Sequence, residues 1–216
     1  MTAIVSLVRE ALLAGGAAEA LPVADGLAAY LGLLLRANEE MNLVSRKEAQ
    51  PGSLVSRHLL DALGALPLLP EPSGRPFRLL DVGSGGGFPA IPLLLARKDL
   101  EGSLVESTSK KARFLEGVVR ELGLTARVVN ARFPDPALEL MRKAPPCDLL
   151  TSRAVAGAGE IARLARPVLA RGAVALFWTT EPLLGELRRS LPGAKTDFRK
   201  SPGAERRGIV RVECFT

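Results

Sequence analysis

Residues 79–92 read LLDVGSGGGFPAIP. An apolar run ends in Asp81, glycine occupies 83, 85, 86 and 87, and a second apolar run follows at once. Glycine reaches positive φ and carries no Cβ, so such a turn lets backbone approach a ligand closely. A short apolar strand, a glycine turn and a helix-like stretch are the opening of an open parallel sheet. In such sheets ligands lie beyond the carboxyl ends of the strands.

The pattern continues outward from this unit. Short apolar runs at Arg78–Val82, Gly102–Glu106, Ala126–Asn130, Asp148–Thr151, Ala173–Trp178 and Gly208–Phe215 predict strands. Between them, Pro89–Arg97, Ser109–Leu122, Pro136–Lys143, Gly157–Leu169 and Pro182–Leu191 have helical periodicity. Strand–helix alternation implies right-handed crossovers. The expected fold is α/β and Rossmann-like, a mostly parallel twisted sheet with helices on both faces. The last run has no helix after it and is expected to return antiparallel.

The front of the chain reads differently. Ile4–Leu13 and Ala24–Asn38 carry apolar residues at helical spacing, and Ser53 can cap a third helix through LVSRHLLDALGALPLL. PLLPEPSGRP (67–76) has four prolines and a glycine and reads as a linker. The expected organisation is a helical N-terminal region at 1–66, a linker at 67–76 and a ligand-binding domain at 77–216.

Composition narrows the function classes. The chain has 216 residues and is 47% hydrophobic, enough for a well-buried core. Read by eye, no apolar run approaches the roughly 20 residues that span a bilayer, so no membrane segment is expected. The N-terminus lacks a basic n-region, and a signal peptide is not expected. Cys147 and Cys214 show no metal-ligand spacing; buried reduced thiols, a cytoplasmic location and no metal are expected. Residues 1–77 carry six basic and eight acidic side chains, residues 78–216 carry 23 and 15, so the excess of +6 arises as −2 and +8. A basic second domain points to a polyanionic partner, nucleic acid first.

Two acids select among guests of the turn. Asp81 stands two residues before the first glycine, where a carboxylate would repel a pyrophosphate in a partly desolvated site. S-adenosylmethionine has no phosphate and carries a sulfonium and an ammonium, so it is favoured over a dinucleotide. Asp81 can also simply order the loop by accepting backbone N–H bonds. Glu106 ends the second strand about 20 residues on, where an acid accepts hydrogen bonds from ribose hydroxyls. Asp81, Gly83, Ser84, Gly85 and Glu106 are therefore expected to form a wall of a S-adenosylmethionine pocket.

In order along the chain, NLVSR (42–46), RHLLDAL (57–63), LLDVGSGGGFPAIPL (79–93), ESTSKKARFL (106–115) and SRAVA (152–156) resemble the RsmG family, also called glucose-inhibited division protein B. The likeness runs from about Met41 to Ala175. It implies a class I methyltransferase fold and an enzyme that methylates guanine N7 in 16S ribosomal RNA. It implies cofactor contacts at Gly83 and Phe88, at Phe133-Pro134 and at Arg153. Two positions depart from the family. Arg132-Phe133-Pro134 lacks the acid that could hold the adenine amino group, and Trp178 stands where members tend to carry a lysine.

Guanine N7 has an exposed lone pair and no proton, so no catalytic residue is expected. Orientation can supply roughly 7–11 kcal/mol of such a barrier. Candidate substrate contacts are Arg46, Arg57, His58, Lys110, Lys111 and Arg113. Each has an ordinary alternative. Asn42, Ser45 and Arg46 could close the preceding helix, Arg57 and His58 could make interdomain hydrogen bonds, and the α-helical cations could face solvent. Lys110, Lys111 and Arg113 oppose the macrodipole of the helix they open, which favours a phosphate role. The expected partner is small-subunit ribosomal RNA or a ribosomal particle, with the protein a monomer. A small-molecule methyltransferase and a non-catalytic cofactor-binding ribosome-assembly protein stay open beside this reading.

Overall fold

The structure is a computed structural model and describes residues 2–153, 157–201 and 206–215, with 214 and 215 described by backbone alone. The apolar run before the glycine turn forms β1 (Phe77–Val82). Alternate residues face opposite sides of the sheet, so Leu79 joins one core and Leu80 and Val82 join the other.

The helical front comprises α1 (Thr2–Ala14), α2 (Ala24–Asn38), α3 (Pro51–Leu54) and α4 (Leu60–Leu63). A π-helical turn, Val55–Leu59, joins the last two. This third helical unit starts at Pro51 and not after a Ser53 cap. Proline suits the first helical position because its missing N–H would be unpaired there anyway. After β1 come α5 (Ala90–Ala96), β2 (Leu100–Val105), α6 (Ser109–Glu121), β3 (Ala126–Val129), α7 (Ala137–Arg142) and β4 (Cys147–Arg153). The chain ends with α8 (Ala158–Ala165), β5 (Leu169–Thr180), α9 (Leu184–Ser190), β6 (Lys195–Lys200) and β7 (Arg207–Phe215).

The seven strands lie in the order β3-β2-β1-β4-β5-β7-β6. The first five are parallel, and β7 runs antiparallel between β5 and β6. The antiparallel last strand is as expected, but β6 is an addition. Its sequence, KTDFRK, has one large apolar residue, so no alternation announces it. Lysines and a polar surface suit an edge strand, which must discourage further pairing. The helix expected at Gly157–Leu169 ends at Ala165, because Pro167 cannot continue it.

Each face of the sheet has its own core. On one, Val8, Leu12, Leu27, Tyr30, Leu31 and Leu59 of the front pack with Leu93 of α5 and Leu79, Leu104 and Leu149 of the strands. Burying a large apolar side chain contributes about 1.5–3 kcal/mol, so the front is bound to this face by many such groups. The other core joins Leu138, Ile161 and Leu187 to Leu80, Leu150 and Val210. Segment 67–76 is tied down at two carbonyls: Leu68 accepts from Arg211 Nε at 3.1 Å and Pro70 from Arg97 Nη1 at 3.2 Å.

One sequence expectation needs correction here. Ala18–Asn38 is long and apolar enough, by length and composition, to cross a membrane. In the fold Leu27, Leu31 and Leu34 of this stretch are buried in the core, and Leu33 and Leu35 are half-buried against it.

Candidate functional site

The turn after β1 is held from three sides. The amides of Gly83 and Ser84 donate to the Val105 carbonyl at 3.0 and 3.1 Å, tying the turn to β2. Gly85 N–H donates to Glu106 Oε2 at 2.9 Å. The Tyr30 hydroxyl, arriving from α2, donates to the Gly86 carbonyl at 2.7 Å. Gly83, Gly85 and Gly87 have φ of 78°, 55° and 100°, which L side chains rarely adopt. A Cβ at Gly87 would also sit 2.6 Å from Ile91 Cγ1 and 3.0 Å from the Tyr30 oxygen. Glycine is required there twice over, for backbone conformation and for space.

Beside the turn, at the carboxyl ends of β1, β2 and β3, lies a cleft of about 470 Å³. This is within the roughly 300–1,000 Å³ usual for small-molecule sites. Gly83 and Glu106 line it near the turn, Phe133 and Pro134 after β3, and Glu160, Ile161 and Leu164 from α8. Glu106 is buried, and its second oxygen accepts Thr108 N–H at 2.7 Å. Its carbonyl accepts from Asn130 Nδ2 at 2.9 Å, which fixes the end of β3 against it. Each Glu106 oxygen keeps a further lone pair, so the residue can still accept hydroxyl donors. Gly83, Glu106, Phe133 and Pro134 thus line one cleft, and Gly85 braces the same wall.

Four expected cofactor residues lie elsewhere. Asp81 does not line the cleft: it is 1% exposed and turned into the interior, on the same sheet face as Leu79. Its Oδ1 accepts Thr151 Oγ1 at 2.6 Å, and its Oδ2 is buried without a partner. Burial pushes its pKa up to about 6, against the hydrogen bond from Thr151. Ser84 is also buried, its hydroxyl donating to the Asp81 carbonyl at 3.2 Å. The strand period explains the correction, since Asp81 is odd in register where Val82 faces the cleft side.

Phe88 and Arg153 sit at the far end of the turn, under the helical front. The Phe88 ring lies 5.2 Å from both Tyr30 and His58, with the Arg153 guanidinium 5.9 Å from its centroid. Arg153 pairs with Asp61 at 3.3 Å and donates to the Arg57 carbonyl at 2.9 Å. Asp61, in α4, also accepts from the Ser201 hydroxyl, and its carbonyl accepts Trp178 Nε1 at 2.9 Å. Trp178, in the place of the family's lysine, therefore packs beneath the front. Ala154–Ala156, the end of the SRAVA stretch, lie outside the described residues, as does the side chain of Cys214. Cys147 is a buried free thiol.

The expected substrate residues fall into two groups. Arg57 and His58 occupy the π-helical turn, a geometry frequent at functional sites. Both lie near Glu48, at 3.8 and 3.7 Å. Burial and the Arg153 charge lower the His58 pKa to about 4, so the imidazole is neutral at pH 7. Lys110 and Arg113 are exposed and Lys111 half-buried on the first turns of α6. Arg46 is exposed before α3, where Asn38 Oδ1, accepting the amides of Leu43 and Val44 at 2.8 and 2.9 Å, does the helix closing. Among the described residues no cluster of three metal-ligating side chains occurs.

Sequence reasoning missed Tyr30, Asp61 and Glu160. Tyr30 and Asp61 look like ordinary residues of amphipathic helices, and only Glu160's place in a first helical turn could have drawn notice.

The model of a family described as GidB, rRNA small subunit methyltransferase G, matches residues 24–190. The ribosomal RNA small subunit methyltransferase G of Acidiphilium cryptum is 37% identical over 188 residues, 86% of this chain and 82% of that protein. That of Alkalilimnicola ehrlichii is 40% identical over 183 residues, 83% and 78%. Among solved structures, a predicted O-methyltransferase of Agrobacterium tumefaciens superposes with a TM-score of 0.56 at 14% identity, covering 72% of this chain and 80% of that one. This last likeness concerns the fold alone.

Proposed function

The chain belongs to the rRNA small subunit methyltransferase G family, and from that premise we propose that it moves the methyl group of S-adenosylmethionine to N7 of a guanine in 16S ribosomal RNA. The observation that carries this reading is the glycine turn with unlike surfaces at its two ends. At Gly83 it opens on a nucleoside-sized cleft walled by Glu106. At Phe88 it abuts Arg153, His58 and, through them, Arg57.

S-adenosylmethionine, when bound, supplies an electrophilic methyl group on a sulfonium. Gly83 allows close approach of the backbone, and Glu106 accepts hydrogen bonds from ribose hydroxyls. Phe133, Ile161 and Leu164 line the cleft and would flank the cofactor's planar base. The unpartnered Asp81 Oδ2 adds negative potential from beneath the turn without touching the cleft. Low dielectric strengthens that field.

Guanine N7 gives up no proton when methylated, so the site needs no general base. His58, neutral at pH 7, is then not called on to take a proton. Rate then comes from holding the acceptor in line and excluding water. Arg46, Arg57, Lys110, Lys111 and Arg113 draw in the phosphate backbone, a salt-sensitive attraction. The target guanine must be presented unstacked, at a cost of a few kcal/mol.

The test is incubation with methyl-labelled S-adenosylmethionine and small-subunit rRNA lacking the modification, naked or in particles. Label at a single guanine N7 is expected. Absence of label on both substrates, from protein that binds the cofactor, would overturn the reading.

A further inference from the structure

A purine bound in the cleft brings an exocyclic amino group with two N–H donors. Placed among apolar side chains, those donors need an acceptor. The loop after β3 offers none from its side chains, because Phe133 and Pro134 occupy the lining there. Glu106, which also lines the cleft, is taken up by the amides of Gly85 and Thr108 and, in the proposed reading, by the ribose hydroxyls. One other carboxylate lines the cleft among the described residues, and it is Glu160.

Glu160 belongs to the first turn of α8, beside Ile161 and Leu164, which also line the cleft. Its side chain folds back over Gly157: Oε2 lies 3.7 Å from where a Cβ on Gly157 would stand. Gly157 also lines the cleft, with φ of 87°, so the carboxylate sits at the rim. Among the described residues Glu160 has neither an ion-pair nor a hydrogen-bond partner there. An acid in a first helical turn favours the macrodipole wherever it points. That role does not explain why this one borders the cleft that Glu106 also lines.

We propose that Glu160 is a specificity-determining residue, accepting the hydrogen bond of the adenine amino group and so selecting adenine over a 6-oxopurine. The inference rests on the reading of the cleft as a S-adenosylmethionine site. With the ribose at Glu106, the base extends away from the glycine turn, toward β3 and α8. Phe133, Ile161 and Leu164 then flank its faces and Glu160 meets its amino edge. A 6-oxopurine presents an acceptor at that edge, and a carboxylate rejects it by leaving two acceptors opposed.

Calorimetric titration of the protein with S-adenosyl-L-homocysteine and with S-inosyl-L-homocysteine tests this without turnover. The unaltered protein should prefer the adenosyl compound at least tenfold. Glu160→Ala should bind it about fivefold more weakly, bind the inosyl compound better, and bring the ratio near one. Glu160→Gln, whose amide can both accept and donate, should keep adenosyl affinity within about threefold and also relax the preference. An unchanged ratio in both variants, with unchanged melting temperatures, overturns the role of Glu160 alone. Binding of neither compound by the unaltered protein overturns the cofactor reading and this inference together.

Discussion

The hydroxyl of Tyr30 and the carbonyl of Gly86 are joined by a buried 2.7 Å hydrogen bond across 56 residues of sequence. It ties the helical front directly to the turn that borders the cleft. Burial raises the Tyr30 pKa well above its ordinary value, so the phenol remains a donor at any working pH. The front thus braces the glycine turn and does not merely pack against the sheet.

Tyr30→Phe removes this bond and keeps the ring against Phe88. Loss of one such bond should lower stability by about 1 kcal/mol. The freed turn should weaken S-adenosylmethionine binding about tenfold, roughly 1.4 kcal/mol. Calorimetric titration beside thermal unfolding separates the two effects. Unchanged affinity would show that the turn holds its shape without the front.

Gly83→Val places a branched side chain at φ 78° on the cleft wall. Backbone strain of about 1–3 kcal/mol and direct obstruction both act against binding. Affinity for S-adenosylmethionine should fall at least tenfold, about 1.4 kcal/mol. Titration of the folded variant checks this, and full affinity would put the cofactor elsewhere.

Asp81 makes stability depend on pH in a specific direction. Its pKa in the fold is about 6, above the 3.8 of the free group. The fold therefore favours the protonated form, and the ionised form destabilises it. That cost is complete above pH 6, shrinks as pH falls, and vanishes below pH 4. At 1.36 kcal/mol per unit it is on the order of 3 kcal/mol. Asp81→Asn, a neutral mimic, should be more stable than the parent at pH 7.5 and nearly equal at pH 3.5. Denaturant midpoints of the cofactor-free proteins at the two pH values decide this; a constant difference would refute it.

Arg153→Leu leaves the Asp61 carboxylate buried without its cation. Breaking a buried pair in this way typically costs about 3–5 kcal/mol. The double variant Asp61→Asn with Arg153→Leu should lose less than the sum of the single losses, the sign of direct coupling. Urea midpoints of the four proteins complete the cycle, and strict additivity would separate the two residues. Cofactor affinity of folded Arg153→Leu should stay within about threefold, a change of roughly 0.7 kcal/mol.

Lys110→Ala and Arg113→Ala should weaken RNA binding without altering cofactor affinity. Each lost phosphate contact should flatten the dependence of log affinity on log salt by about 0.7–0.9. Filter binding at several salt concentrations measures the slope. Slopes identical to the parent would leave these side chains as solvated surface.

Much of this protein was legible along the chain. LLDVGSGGGFPAIP predicts a strand, a turn and a helix because each rests on neighbours a few residues apart. Glu106 was likewise legible, since its distance from the glycines follows from one helix and one strand. β6 escaped because an edge strand keeps its polar residues and leaves no alternation to read. Asp81 was found but misplaced: proximity to the turn does not say which face of the strand its carboxylate takes.

The order of elements, the glycine turn and the acid after β2 are local matters, decided by residue spacing and backbone preference. The sequence by itself determined those, together with the family. Which side chains meet was decided only in three dimensions. Tyr30 reaches Gly86, Asp61 meets Arg153 and Glu160 borders the same cleft as Glu106 because two cores press separate helices onto opposite faces of one sheet. Such meetings depend on packing between segments tens of residues apart, and no local period in the chain encodes them.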